Sequence, residues 1–123
     1  MTKILWLSRH ALTDEQLADL RRIYGQDIEV YQHNQTVKSA QEVVAIATEH
    51  GCDILAVVLP PNILSELTNP RINDKPVIRA KANRIPTGRT IVNPANGKEE
   101  QEFMFKHAGW ERVVRIEIVT EDL

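Results

Sequence analysis

Residues Ile4 to Leu7 are apolar without a break, and Ser8, Arg9 and His10 follow them directly. A short run with no polar alternation fits a strand buried on both faces, as in a parallel sheet with helices on either side. Parallel neighbours require crossover connections, so a chain built on such a strand has to supply helices between its strands. In open sheets of this kind ligands bind beyond the carboxyl ends of the strands, where strand order reverses. The Ser-Arg-His tip is therefore the first place to look for chemistry.

The helices are announced by local signals. Thr13-Asp14-Glu15-Gln16 has the capping-box spacing; Leu17, Leu20, Ile23 and Tyr24 recur at helical intervals; Arg21 and Arg22 fall in the last turn, and Gly25 offers a stop. Ile28 to Tyr31 reads as a second strand. Ser39-Ala40-Gln41-Glu42 repeats the capping-box spacing and opens a helix with Val43, Val44 and Ala47 inward and Gly51 at its end. Asp53 to Leu59 is a third, central strand that Pro60 and Pro61 stop, and Asn62 to Asn69 makes a short helix. Strand and helix alternate as in a doubly wound sheet, with the first and third strands adjacent and the Ser8–His10 and Pro60–Asn62 loops side by side.

The second half has a different texture. Val77 to Ile85 alternates, with Arg79, Lys81 and Asn83 opposite Ile78, Ala80 and Ala82. Turn-rich segments at Thr87–Thr90 and Asn93–Lys98 bracket Ile91 and Val92 as a short strand; Phe103 to Lys106 and Val113 to Thr120 complete the set. The expected fold is a single α/β domain over residues 1–123: a Rossmann-like three-layer sandwich, mainly parallel, with antiparallel strands appended at the C-terminal end.

Charge is unevenly distributed. Residues 1–70 carry 5 basic and 9 acidic side chains, residues 71–98 carry 7 and 1, and residues 99–123 carry 3 and 7. The middle segment is thus a positive face suited to steering phosphates, or else an ordinary solvated loop. No stretch approaches the roughly 18 apolar residues of a membrane span and no signal-type leader opens the chain, so no membrane contact and a cytoplasmic location are expected. Cys52 is the one cysteine, which leaves it as a small buried hydrophobe at the start of a strand.

No glycine-rich phosphate loop follows the first strand, which removes dinucleotide and nucleoside triphosphate cofactors. His10, His33, His50 and His107 are not spaced as metal ligands, and no strained Gly-x-Ser-x-Gly turn is present, so neither a metal nor a serine triad is expected. What remains is a hydroxyl, a permanent cation and a titratable ring in consecutive positions before a helix start, a set that suits a phosphodiester. Ser8 could orient a phosphate oxygen, Arg9 could stabilise the added charge at phosphorus, and His10 could move a proton. The competing account has His10 closing a loop and Arg9 pairing with an acid such as Asp14. Arg79, Lys81, Arg84 and Arg89 could extend a phosphate-binding wall. Few aromatic residues and an acidic remainder argue against double-stranded nucleic acid as a partner.

Three segments carry a resemblance: Ser8-Arg9-His10 after a short apolar strand, the helix start Leu12-Thr13-Asp14-Glu15-Gln16, and Leu59-Pro60-Pro61-Asn62-Ile63-Leu64 after the third strand. Together they resemble the short CRISPR-associated ring nucleases of the Csx type, over about the first 67 residues. The resemblance implies a Rossmann-like fold related to the sensor domains of type III CRISPR systems, a homodimer, and a cyclic oligoadenylate ligand held across its two-fold axis. It implies metal-independent ring cleavage at Ser8, Arg9 and His10, with Pro61 and Asn62 from the second loop binding ligand and no cofactor. Two other functions stand beside it: sequestration of the same ligand without cleavage, and a protein-interaction module using the edge of Val113–Thr120.

Overall fold

The opening apolar run forms β1, Thr2–Leu7, in a five-stranded sheet of a computed structural model that describes residues 1–117 and 119–123. On one side β1 pairs in parallel with β2 (Ile28–His33) and on the other with β3 (Ile54–Val57), so that Trp6 lies opposite both Gln32 and Ala56. β3 pairs in parallel with the first two residues of β4 (Val77–Val92), and β4 pairs antiparallel with β5 (Glu99–Arg112). The strand order is β2-β1-β3-β4-β5.

Alternation along the buried strands divides the core between two faces. Leu5, Leu7, Leu55, Val57 and Val77 pack with α2 (Ala40–Glu49) and α3 (Pro61–Leu67), whose Val43, Ala47, Leu64 and Leu67 are buried. Ile4, Trp6, Ile54, Ala56 and Ile78 pack on the other side with Leu20 and Tyr24 of α1 (Asp14–Tyr24) and with Trp110. The result is the expected three-layer, Rossmann-like α/β sandwich. A side chain such as Leu55, with no exposed surface, contributes about 2 kcal/mol by burial.

Local chemistry sets the helix ends. Thr13 accepts from the Gln16 amide while the Gln16 side chain accepts from the Thr13 amide, completing the capping box, and the Gly25 amide donates to Arg21 at the other end. A cap of this kind contributes about 1 kcal/mol. The second box is only half formed. Ser39 accepts from the Glu42 amide, but Glu42 takes the Lys38 amide at 2.8 Å rather than that of Ser39. Ile23, expected inward, is exposed because it lies one position off the stripe defined by Leu20 and Tyr24.

The C-terminal half departs furthest from expectation. Thr87–Thr90 is not a turn between two strands but an irregularity inside one, and Ile91 and Val92 are the end of a single long β4. Gly88, at φ 83°, takes the left-handed backbone that lets the strand bulge and continue. A second register shift between Lys81 and Ala82 interrupts the alternation expected along Val77–Ile85. The expected turn at Asn93–Lys98 is present, closed by Asn93 N–H to the Lys98 carbonyl at 2.9 Å, and Phe103–Lys106 lies in the middle of β5. Val113–Thr120 was expected as a strand. Residues 113–117, 119 and 120 lie outside any strand, and Ile118 is outside the described residues. After the Val113 amide donates to Val77, Val113 and Ile116 pack onto the α2–α3 side, and the Ile116 carbonyl accepts from Ser65.

Candidate functional site

Because β1 has β2 on one side and β3 on the other, the chain winds in opposite directions from its carboxyl end, and a crevice opens there. A cleft of about 410 Å³ occupies that position. Ser8, Arg9 and His10 from the β1 loop form one wall, and Val58, Leu59, Pro60 and Ile63 from the β3 loop and α3 form the other. Gln35, Thr36 and Val37, after β2, close it. The two loops expected to be neighbours are brought together by the β1–β3 pairing.

The tip loop is held by its backbone. Trp6, buried on the α1 side, donates its indole N–H to the His10 carbonyl at 2.8 Å. Gln32 at the end of β2 donates to the Ser8 carbonyl at 3.0 Å and to the His10 carbonyl at 3.2 Å, and Ser8 Oγ accepts from the His10 amide. Fixing both carbonyls leaves the Arg9 and His10 side chains exposed at the cleft. Arg9 donates to Thr36 Oγ1 at 2.8 Å, so the guanidinium spans the β1 and β2 loops rather than pairing with Asp14. The lining contains this guanidinium and no carboxylate, facing an apolar wall on which Val58 is 66% exposed. Such a cleft can accept an anion on one side and a flat apolar group on the other.

The remaining residues expected at the site are dispersed. Pro61 and Asn62 are exposed in the first turn of α3, beside the cleft but outside its lining. Arg79, Lys81, Arg84 and Arg89 lie along β4. Arg79 pairs with Glu111 across the hairpin, Arg84 lies 3.7 Å over the Phe103 ring, and Arg89 is exposed at the bulge. Lys81 borders a different cleft, of about 600 Å³, between the start of α1 and the hairpin, together with Lys106 and His107.

His107, on the lining of that second cleft, belongs to a pair that sequence reasoning missed. His107 Nε2 lies 3.0 Å from Asp19 Oδ2, and Arg22 donates to the other Asp19 oxygen at 2.7 Å. The hydrogen bond with His107, and then that from Arg22, hold the Asp19 carboxyl below its ordinary pKa. His107 Nδ1 is buried without a partner among the described residues, so the tautomer with hydrogen on Nε2 leaves a bare lone pair inside rather than an orphaned N–H. Asp19 and His107 are 88 positions apart, and no spacing rule joins them.

Cys52 is fully buried before β3 and burial pushes its thiol pKa up, which suits a packing role. Among the described residues no cluster of three or more His, Cys, Asp or Glu side chains could hold a metal ion, and no helix is long and apolar enough to cross a membrane. Neither a protein-family model nor a solved structure matches this chain.

Proposed function

We propose that the protein binds a cyclic oligoadenylate in the cleft lined by Ser8, Arg9 and His10 and opens the ring without a metal, acting as a ring nuclease that ends type III CRISPR or related signalling. One observation carries this reading: a carboxylate-free cleft at the strand-order reversal with a guanidinium on one wall and an exposed apolar surface on the other. Adenine would lie against Val58, Leu59 and Pro60 and its phosphate near Arg9. In the reaction a ribose 2'-oxygen attacks the adjacent phosphorus, giving its proton to a base, and the bond from phosphorus to the 5'-oxygen breaks as that oxygen is protonated. The products are linear, with a 2',3'-cyclic phosphate at one end and a 5'-hydroxyl at the other. His10 would move a proton, Arg9 would stabilise charge on the phosphorus oxygens, and alignment of the 2'-oxygen would supply much of the rate. Asn62 and Pro61 are assigned to ligand contacts at the neighbouring helix start.

The reading includes a homodimer, because a ring of repeated phosphates offers equivalent parts to two copies of one cleft. It also places the protein in the cytoplasm, where a soluble nucleotide signal would be met. A sequestering role is favoured by one feature: the His10 ring has no hydrogen-bonding partner among the described residues to fix its orientation.

Binding and chemistry separate on two substitutions. Arg9→Ala should weaken equilibrium binding of labelled cyclic adenylate at least about tenfold, while His10→Ala should bind nearly as wild type but cleave at least about a hundredfold more slowly in single turnover. Unchanged single-turnover cleavage by His10→Ala would remove the proton-transfer role. Absence of saturable binding by the wild type to cyclic tri-, tetra- and hexa-adenylate would reject the ligand class.

A further inference from the structure

Among the described residues β4 pairs with the body of the sheet only at Val77 and Ile78, and β5 pairs with β4 alone. From Asn83 to Val92 and back from Glu99 to Lys106 the two strands therefore form an arm, roughly 30 Å of strand, with both edges open. The arm carries Ile85 36% exposed, Ile91 49%, Val92 62%, Met104 52% and Phe105 73%. Met104 and Phe105 are consecutive in β5 and so project from opposite faces; apolar side chains are exposed on both sides. A two-stranded ribbon alone is marginal in water, and this one adds exposed apolar surface and open edges to that weakness.

Charge along the arm indicates what covers it. The root of the hairpin and the adjoining part of the arm, over residues 79–86 and 103–112, form a base with five cations, Arg79, Lys81, Arg84, Lys106 and Arg112, against the single carboxylate Glu111. Its outer part, over residues 87–102, has Glu99, Glu100 and Glu102 against Arg89 and Lys98. Two identical arms laid side by side in the same direction would oppose like charges. Laid antiparallel about a two-fold axis, they bring each acidic tip to the other's basic base, twice over in one contact.

We propose that the β4–β5 arm is the self-association surface of this protein, and that two copies clasp through antiparallel arms. This surface goes beyond the nucleotide chemistry and does not depend on it. Apolar side chains left on both faces of the monomer then meet their counterparts, and the open strand edges are covered.

The test is the mass in solution of wild type and charge-reversed chains, by sedimentation equilibrium from about 1 to 100 µM. Wild type is expected to be a dimer. Glu99→Lys/Glu100→Lys/Glu102→Lys should weaken self-association at least about tenfold at low salt, and Lys81→Glu/Arg84→Glu/Lys106→Glu should do the same. Mixed one to one, these two variants should form a heterodimer, because each tip again meets a base of opposite charge. Circular dichroism checks that each is folded, and Phe105→Asp, on a side chain exposed in the single chain, provides an independent loss of association. A monomeric wild type, a tip reversal without effect, or folded variants that fail to combine would overturn the proposal. The same wild-type samples are titrated with cyclic adenylate: a monomer that binds it overturns the arm and the homodimer but leaves the ligand class standing, and a dimer that binds none overturns the ligand class and leaves the arm standing.

Discussion

Asn73 is the only buried polar side chain among the described residues and makes the turn between α3 and β4. Its amide group donates to the Leu67 carbonyl at 3.0 Å and the Lys75 carbonyl at 2.9 Å, and its oxygen accepts from the Lys75 amide at 3.1 Å. Lys75 in turn donates to the Cys52 carbonyl, so one side chain fixes how the third helix returns to the sheet. Asn73→Ala would strand three backbone groups and should lower stability by about 2 kcal/mol, read by urea unfolding. An effect below about 0.5 kcal/mol would mean that water replaces the amide. Nothing in the sequence flagged Asn73, because its partners are three carbonyl or amide groups of unremarkable residues. Thr13 and Ser39 were legible for the opposite reason: a cap and its target amide lie within three positions of each other.

At the scale of elements the same contrast recurs. β1 and β3 were legible because both faces are buried, so that the apolar run is itself the signal. The arm was not, since both its faces meet solvent and Glu99-Glu100-Gln101-Glu102 carries no period of two in hydrophobicity. Gly88 looked like a turn because a strand bulge and a turn both use positive φ. The base of the arm is anchored on α1 by Asp19 with His107 and by the Trp110 indole on the Gln16 carbonyl at 3.2 Å, and on β1 by the edge-on contact of Trp110 with Trp6 at 5.7 Å. Asp19→Asn should release the arm, with amide exchange over residues 79–111 faster by about tenfold or more and exchange in β1 and β3 unchanged. The pH dependence has a definite sign. A carboxyl held below its ordinary pKa stabilises the fold fully above the unfolded value, about 4, and that contribution disappears as pH falls through the lower folded value. The difference in stability between wild type and Asp19→Asn should therefore persist at pH 5 and vanish in stronger acid. A difference that grows below pH 4 would contradict the assignment.

The whole molecule joins a buried parallel sheet, which presents a cleft at its carboxyl edge, to an arm that leaves the sheet at that same edge. Topology explains why Ser8–His10 and Leu59–Pro60 meet although about fifty residues separate them, since β1 and β3 are neighbours. It also explains why Arg79, Lys81, Arg84 and Arg89 do not collect around Arg9: β4 leaves the sheet after Ile78 and spreads them along the arm. Four cations of the positive middle segment thus lie along β4, and the cation lining the cleft is Arg9. The most direct test is to incubate the purified protein with cyclic tri-, tetra- and hexa-adenylate in excess chelator and follow the products by mass spectrometry. Ring opening in the Arg9–His10 cleft requires that at least one ring be converted to linear product ending in 2',3'-cyclic phosphate. Recovery of all three rings intact would contradict it.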